Sequence, residues 1–213
     1  MLEHNKTVSQ MRFAGAAQVE PIADQQIGPT CGFEALENLI QLFYPTDNNF
    51  AQRELLPLAR DAGCLVRGSD GDSLALKGYQ PLLAHFGITA RWYPLDHQQV
   101  LIPALHANRG VLAIGPGYAL NPNVYAPNGI HAIVITNYYT DEPALQVLGY
   151  VGIDSNFPNQ QTLWPWQAIE ASLTWAQRYY LRLPLLITDA PIRWPSIARY
   201  YRLLRSGHLE SVA

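Results

Sequence analysis

The spacing of apolar residues changes at Gly87, and this change is what most constrains the fold. Before Gly87, apolar residues recur at three- and four-residue intervals, a spacing that predicts helices. After Gly87, β-branched and aromatic runs of strand length dominate, for example HAIVITNYYT at residues 131–140. Helices first and mostly antiparallel strands afterwards predict an α+β architecture.

The first predicted helix begins at Cys31 and stops before Pro45. Its apolar residues fall on a single stripe: Phe33, Leu36, Leu39, Ile40 and Phe43. Its polar residues fall mostly elsewhere: Glu34, Glu37, Asn38 and Gln41. This arrangement predicts an amphipathic helix.

The length of 213 residues favours one main domain with short appendages. We expect a polar lead-in at residues 1–19, the main domain at 20–188 and a basic helical tail at 189–213. The tail contains one amphipathic segment that carries most of its arginines, and it is expected either to pack on the domain or to reach a partner.

Composition argues against several classes of protein. A net charge of -3, with basic residues scattered along most of the chain, does not favour nucleic-acid binding. No apolar run is long enough for a membrane span, and the first residues lack the core of a secretory signal. We therefore expect a cytoplasmic protein, with export that needs no signal peptide as the alternative. Two cysteines are too few for a disulfide framework. Without CxxC, HExxH or a His/Cys cluster, we expect no metal and no cofactor.

Cys31 stands where the loop QQIGPT turns into the first helix. The N-terminus of a helix presents unpaired N–H groups and a partial positive charge, which favour a thiolate over a thiol. Gly32 is expected to leave room for a substrate carbonyl. Cys64 follows a helical segment and has no histidine near it in sequence, so we interpret it as a structural thiol.

Gln25 lies six positions before Cys31, and its side-chain amide can donate to a developing oxyanion. The backbone N–H of Cys31 would be the second donor. Gln26 is the alternative side-chain donor.

His131 opens the apolar strand AIVIT and is the candidate acid/base partner of the thiol. Asp154 ends the next strand, 23 positions later, where its carboxylate can accept the far N–H of the imidazole. Asn156 is the alternative for this third position. The other histidines near the middle of the chain, His85, His97 and His106, have no metal spacing and are expected to be structural.

The order of these residues resembles the papain-like peptidases, most closely the C39 branch that trims leader peptides in bacteriocin export and its stand-alone relatives. The matching features lie within about residues 20–185: Gln25, the Cys31-Gly32 helix start, LLAHFGITA, His131 and Asp154. The resemblance implies a papain-like fold, in which a helical N-terminal subdomain with the nucleophile packs on an antiparallel sheet with the His and Asp. It also implies that Cys31 is the nucleophile, His131 the general acid/base, Asp154 its orienting residue and Gln25 the oxyanion donor.

The function expected on these grounds is a cysteine hydrolase, most simply a thiol protease that acts on a peptide or protein substrate. The same triad also supports glutamine deamidation or transfer of the acyl group to an amine, as in transglutaminases. A binding module that recognises a peptide without cutting it is an alternative of a different class.

Overall fold

The structure is a computed structural model that describes residues 11–13, 30–43, 51–68, 71–126, 129–141, 146–157 and 162–192. This part of the chain contains nine strands: β1 (Met11–Phe13), β2 (Leu65–Gly68), β3 (Gly71–Leu74), β4 (Ala90–Tyr93), β5 (Arg109–Pro116), β6 (Ile130–Asp141), β7 (Val147–Ile153), β8 (Thr162–Pro165) and β9 (Leu185–Pro191). It also contains six α-helices: α1 (Cys31–Gln41), α2 (Leu56–Asp61), α3 (Tyr79–His85), α4 (Ile102–His106), α5 (Gly117–Leu120) and α6 (Trp166–Tyr179). Single turns of π- or 3₁₀-helix precede three of them: Ala51–Leu55, Leu76–Gly78 and His97–Leu101.

Seven strands form one sheet with the order β4-β9-β5-β6-β7-β8, and β1 pairs with the far end of β6. Every pairing among the described strands is antiparallel, and β2 and β3 form a separate hairpin. The coarse prediction of an α+β protein with a mostly antiparallel sheet is therefore confirmed.

The central strands of the sheet are buried on both faces. In β6, Ala132 and Val134 belong to a core shared with α1, whereas Ile133 and Ile135 belong to a second core shared with α4 and α6. A strand covered on both faces has apolar residues at successive positions rather than alternate ones. This explains the unbroken apolar run AIVI after His131.

Helix α1 confirms the predicted amphipathic helix that begins at Cys31, and in addition it is buried around its whole circumference. Its apolar stripe contributes to the core beneath the sheet, yet the polar residues expected outside that stripe are also buried: Glu34 is 3%, Glu37 1% and Asn38 1% exposed. The helix contacts β5 and β6 on the sheet, and also β3, α3 and the turn Ala51–Leu55. Elements from other parts of the sequence therefore enclose α1. The apolar periodicity of the helix alone does not predict these contacts.

Several boundaries differ from the sequence-based expectations. Residues 11–13 of the predicted lead-in form a strand, and residues 189–191 of the predicted tail complete β9. The hairpin of β2 and β3 was not predicted, because its strands are only four residues long and carry charges. The rest of the tail, residues 193–213, lies outside the described residues. None of the helices in the described ranges is both long enough and apolar enough to cross a membrane.

Candidate active site

Cys31 is the first residue of α1. The backbone N–H groups of Phe33 and Glu34 both donate to the carbonyl of Thr30, at 2.8 and 3.0 Å, and thereby close the first turn directly behind the cysteine. The thiol is half-buried, and its Sγ lies 3.8 Å from the carbonyl oxygen of Ile130, the residue before His131. The helix terminus and the start of β6 are thus brought together, although 99 positions separate them in sequence.

The space beside Gly32 is filled, which corrects its predicted role. A Cβ at Gly32 would lie 2.5 Å from the hydroxyl oxygen of Tyr79 and 3.3 Å from the Cβ of Leu74. The missing side chain therefore makes room for Tyr79 rather than for a substrate carbonyl. Burial, followed by the charge of Cys31, raises the pKa of Tyr79 well above its usual value, so its hydroxyl stays protonated.

His131 is the second residue of β6 and is buried, with 3% of its surface exposed. Its Nε2 lies 2.9 Å from Oδ1 of Asp154, and its ring is a hydrogen-bonding neighbour of the Cys31 thiol. Because Nε2 is held by Asp154, we infer that Nδ1 is the nitrogen that faces Cys31. The structure therefore brings Cys31, His131 and Asp154 together in the predicted order.

Asp154 follows β7 directly, and its side chain is buried. Its Oδ1 accepts from His131 and from the backbone N–H of Asn156 at 3.0 Å, and its Oδ2 accepts from the hydroxyl of Tyr125. Three donors satisfy a carboxylate that would otherwise be costly to bury. The predicted contact of Asp154 with the imidazole is present. Asn156, the alternative third member, instead supports Asp154 through its backbone and Tyr125 through its side chain.

Opposing effects act on the pKa of His131, which is raised to about 9. Burial alone lowers the pKa, but hydrogen bonds with Asp154 and then Cys31, together with the charges of both, outweigh it. The imidazolium is therefore the stable form at neutral pH. An imidazolium beside a thiol favours the thiolate, which is the nucleophilic form.

Tyr125 is a member of this cluster that sequence reasoning missed. Its hydroxyl donates to Oδ2 of Asp154 and lies 3.0 Å from Nε2 of His131, and the Tyr125 and His131 rings are 4.5 Å apart at 38°. Burial, and then the charge of Asp154, raises the pKa of Tyr125, so the hydroxyl remains a donor. The only sequence signal was its place in the loop six positions before His131.

Gly117, at the start of α5, makes room for Tyr125. A Cβ at this position would lie 2.6 Å from Cγ and 2.7 Å from Cδ1 of the Tyr125 ring. The backbone N–H of Gly117 also donates to the carbonyl of Gly129 at 3.0 Å, which closes the loop that carries Tyr125. This loop geometry holds the tyrosine ring against the His–Asp pair.

Gln25 and Gln26, the two candidates for the oxyanion donor, lie outside the described residues. Cys64 is buried, and its Sγ lies 3.5 Å from the carbonyl of Ala62. His97 is also buried, held by Tyr150 and Glu170 and stacked on Trp166 at 3.7 Å.

His85 and His106 are both exposed, and His106 contacts the hydroxyl of Tyr138 at 2.5 Å. Within the described ranges, no group of three His, Cys, Asp or Glu residues is placed to hold a metal ion.

The chain matches no protein-family model and no curated protein.

The two cysteines are expected to differ in reactivity. Cys31 should be alkylated by iodoacetamide below about pH 8, because it is half-buried at a helix terminus beside a protonated His131. Cys64 should remain unlabelled, because it is buried with only 5% of its surface exposed. Peptide mass mapping after timed labelling measures both rates, and a Cys31→Ser variant identifies the labelled peptide. Equal rates at the two thiols would contradict the activation of Cys31.

Asp154→Asn should lower the pKa of His131 from about 9, because the hydrogen bond and the negative charge of Asp154 both raise it. Since this pKa lies above the unfolded value near 6.5, its stabilising contribution is complete below about pH 6.5 and is lost as pH rises through about 9. The variant should therefore show a flatter stability profile in this window. NMR titration of the His131 ring measures the shift, and Asn156→Ala, which keeps its backbone donor, is the control. A larger shift in the control would make Asn156 the orienting residue.

Tyr125→Phe should lower the free energy of unfolding by about 1–3 kcal/mol, because a buried carboxylate loses a charge-assisted donor. Gly117→Ala should have a similar effect, since its Cβ would displace the Tyr125 ring. Gly129→Ala is the matched control, because its Cβ would meet nothing closer than the carbonyl of Ala126 at 3.5 Å. Urea unfolding measures all three. Equal losses of unfolding free energy for the two glycine variants would contradict the inference that Gly117 specifically makes room for Tyr125.

Proposed function

We propose that this protein is a papain-like cysteine hydrolase that attacks an amide carbonyl, most simply in a peptide. The observation that carries the proposal is the contact of Cys31, at the start of α1, with a His131 whose far nitrogen is held by Asp154. A structural cysteine needs neither a protonated imidazole beside it nor a buried carboxylate behind that imidazole. A nucleophilic thiolate uses both.

In the first half of the proposed reaction, the Cys31 thiolate forms a bond to the carbonyl carbon, and the π electrons move to the carbonyl oxygen. The backbone N–H of Cys31 and the side chain of Gln25 are the proposed donors to this oxyanion. As the tetrahedral intermediate collapses, the C–N bond breaks and the His131 imidazolium gives its Nδ1 proton to the leaving amine. The product of this step is a thioester on Cys31.

In the second half, neutral His131 takes a proton from water as the water oxygen attacks the thioester carbonyl. The C–S bond then breaks, which releases the carboxylic acid and restores the thiolate beside an imidazolium. Asp154 keeps the Nε2 proton in place throughout, so that Nδ1 is the nitrogen that exchanges protons. Tyr125 would restrain the carboxylate through Oδ2 while the ring changes charge.

The layout of the chain supports the papain-like assignment over other ways of building a Cys–His pair. The nucleophile begins a helix buried against an antiparallel sheet, and the histidine and aspartate come from two neighbouring strands of that sheet. The resemblance to C39-like peptidases implies the same arrangement, with the nucleophile on the helix and the histidine and aspartate on the sheet. The peptide substrate class follows from the same resemblance.

Cys31→Ala should abolish turnover, since the thioester cannot form without the thiol. Gln25→Ala should retain activity that is lowered by about a hundred- to a thousandfold, the usual cost of losing one oxyanion donor. Mass spectrometry of a peptide library incubated with each variant measures this order, because cleavage, deamidation and amine transfer give distinct mass changes. Cys64→Ala is the matched control and should behave as wild type.

The same experiment identifies the outcomes that contradict the proposal. Wild-type protein that binds library peptides but never changes their mass, with Cys31→Ala binding equally well, would indicate a binding module. Deamidation or amine transfer without cleavage would retain the thiolate chemistry and replace the hydrolytic reaction with one of its relatives.

A further inference from the structure

A cavity of about 310 Å³ lies between the turn before α3, strand β4 and the segment that joins α6 to β9. Its lining residues are Leu76, Lys77, Trp92, Leu181, Arg182 and Leu183. Four of these six are apolar, and the volume is at the lower end of the range for ligand pockets. The cavity is therefore suited to one large apolar side chain rather than to a large polar ligand.

Tyr79 connects this cavity to the proposed nucleophile. Its ring meets Trp92 edge to face, with centroids 5.8 Å apart and planes at 75°. Its hydroxyl fills the space at Gly32, next to Cys31, and Tyr180 beside the cavity segment is close enough to raise the pKa of Tyr79. One aromatic ring thus spans from Gly32 to the cavity wall.

Two basic residues line the cavity with the aliphatic parts of their side chains, so that their charged ends lie at its edge. Lys77 and Arg182 are both exposed. Neither forms an ion pair with a carboxylate in the part of the chain that the structure describes. This local positive charge contrasts with the net charge of -3 for the whole chain. Two cations beside an apolar cavity complement an acidic group adjacent to an apolar one.

We infer that this cavity is a substrate-recognition site for peptides in which a large apolar residue lies next to an acidic residue. The apolar side chain enters between Trp92 and the leucines, and the acidic side chain pairs with Lys77 and Arg182. The inference rests on the proposed function, because it assigns a substrate class to the reaction at Cys31. Burial of the apolar group supplies most of the affinity, and the charges select among substrates.

Four matched peptides test this assignment, with either Phe or Ala followed by either Glu or Lys, scanned through each position of a common sequence. We expect Phe-Glu to be turned over best by wild type, with Phe→Ala lowering kcat/KM by about ten- to a hundredfold. Lys77→Glu and Arg182→Glu should each lower kcat/KM for the Phe-Glu peptide about fivefold. Together they should reverse the preference, so that Phe-Lys becomes the better substrate. Arg60→Glu makes the same charge change at an exposed position on α2 and should leave the preference unchanged.

Anisotropy of the labelled peptides on Cys31→Ala separates this inference from the proposed function. Turnover by wild type with no preference among the four peptides would overturn the recognition site and leave the hydrolase intact. Binding by Cys31→Ala that follows the predicted preference and reverses in the charge variants, without any turnover by wild type, would support the site and overturn the hydrolase. A preference that Arg60→Glu changes as much as Lys77→Glu would show an effect of overall charge, and would also overturn the site.

Discussion

The arrangement of the candidate site depends on the hydrogen bond between His131 and Asp154, and hence on the register of β6 against β7. Val134 pairs with Ile153 in this register, so that Asp154 leaves its strand beside the start of β6. A slip of one residue would turn every side chain of the moved strand to the opposite face. The two cores hold the register, because β6 alternates its apolar residues between them. Apolar packing on both faces of the sheet thus supports a polar contact at its end.

Local chemistry made the three residues of the candidate site predictable. Cys31 could be recognised because a thiol at the start of a helix has a chemical use, and His131 and Asp154 because each stands at the end of a strand-length run. The α+β class followed from the change in periodicity along the chain. These inferences need only neighbouring residues and the usual preferences of helices and strands.

Features that depend on residues distant in sequence were beyond such reasoning. Burial of Glu37 and Asn38 results from elements that close around α1 from several sides. Tyr125 joins the cluster only because a loop folds back over α5, and nothing in its local sequence reports that path. The role of Gly32 was predicted wrongly for the same reason, since Tyr79 comes from a helix 47 positions away.

On each side of the Cys–His pair, a tyrosine ring occupies the space beside a glycine. On the histidine side, Tyr125 occupies the space left by Gly117, and on the cysteine side Tyr79 occupies the space left by Gly32. Both hydroxyls remain protonated, since burial raises the pKa of each. One ring with a neutral hydroxyl therefore packs beside Gly32, and the other packs against the His131 ring, without adding a charge. Such packing helps to keep the half-buried cysteine and the buried histidine in one geometry at the edge of the core.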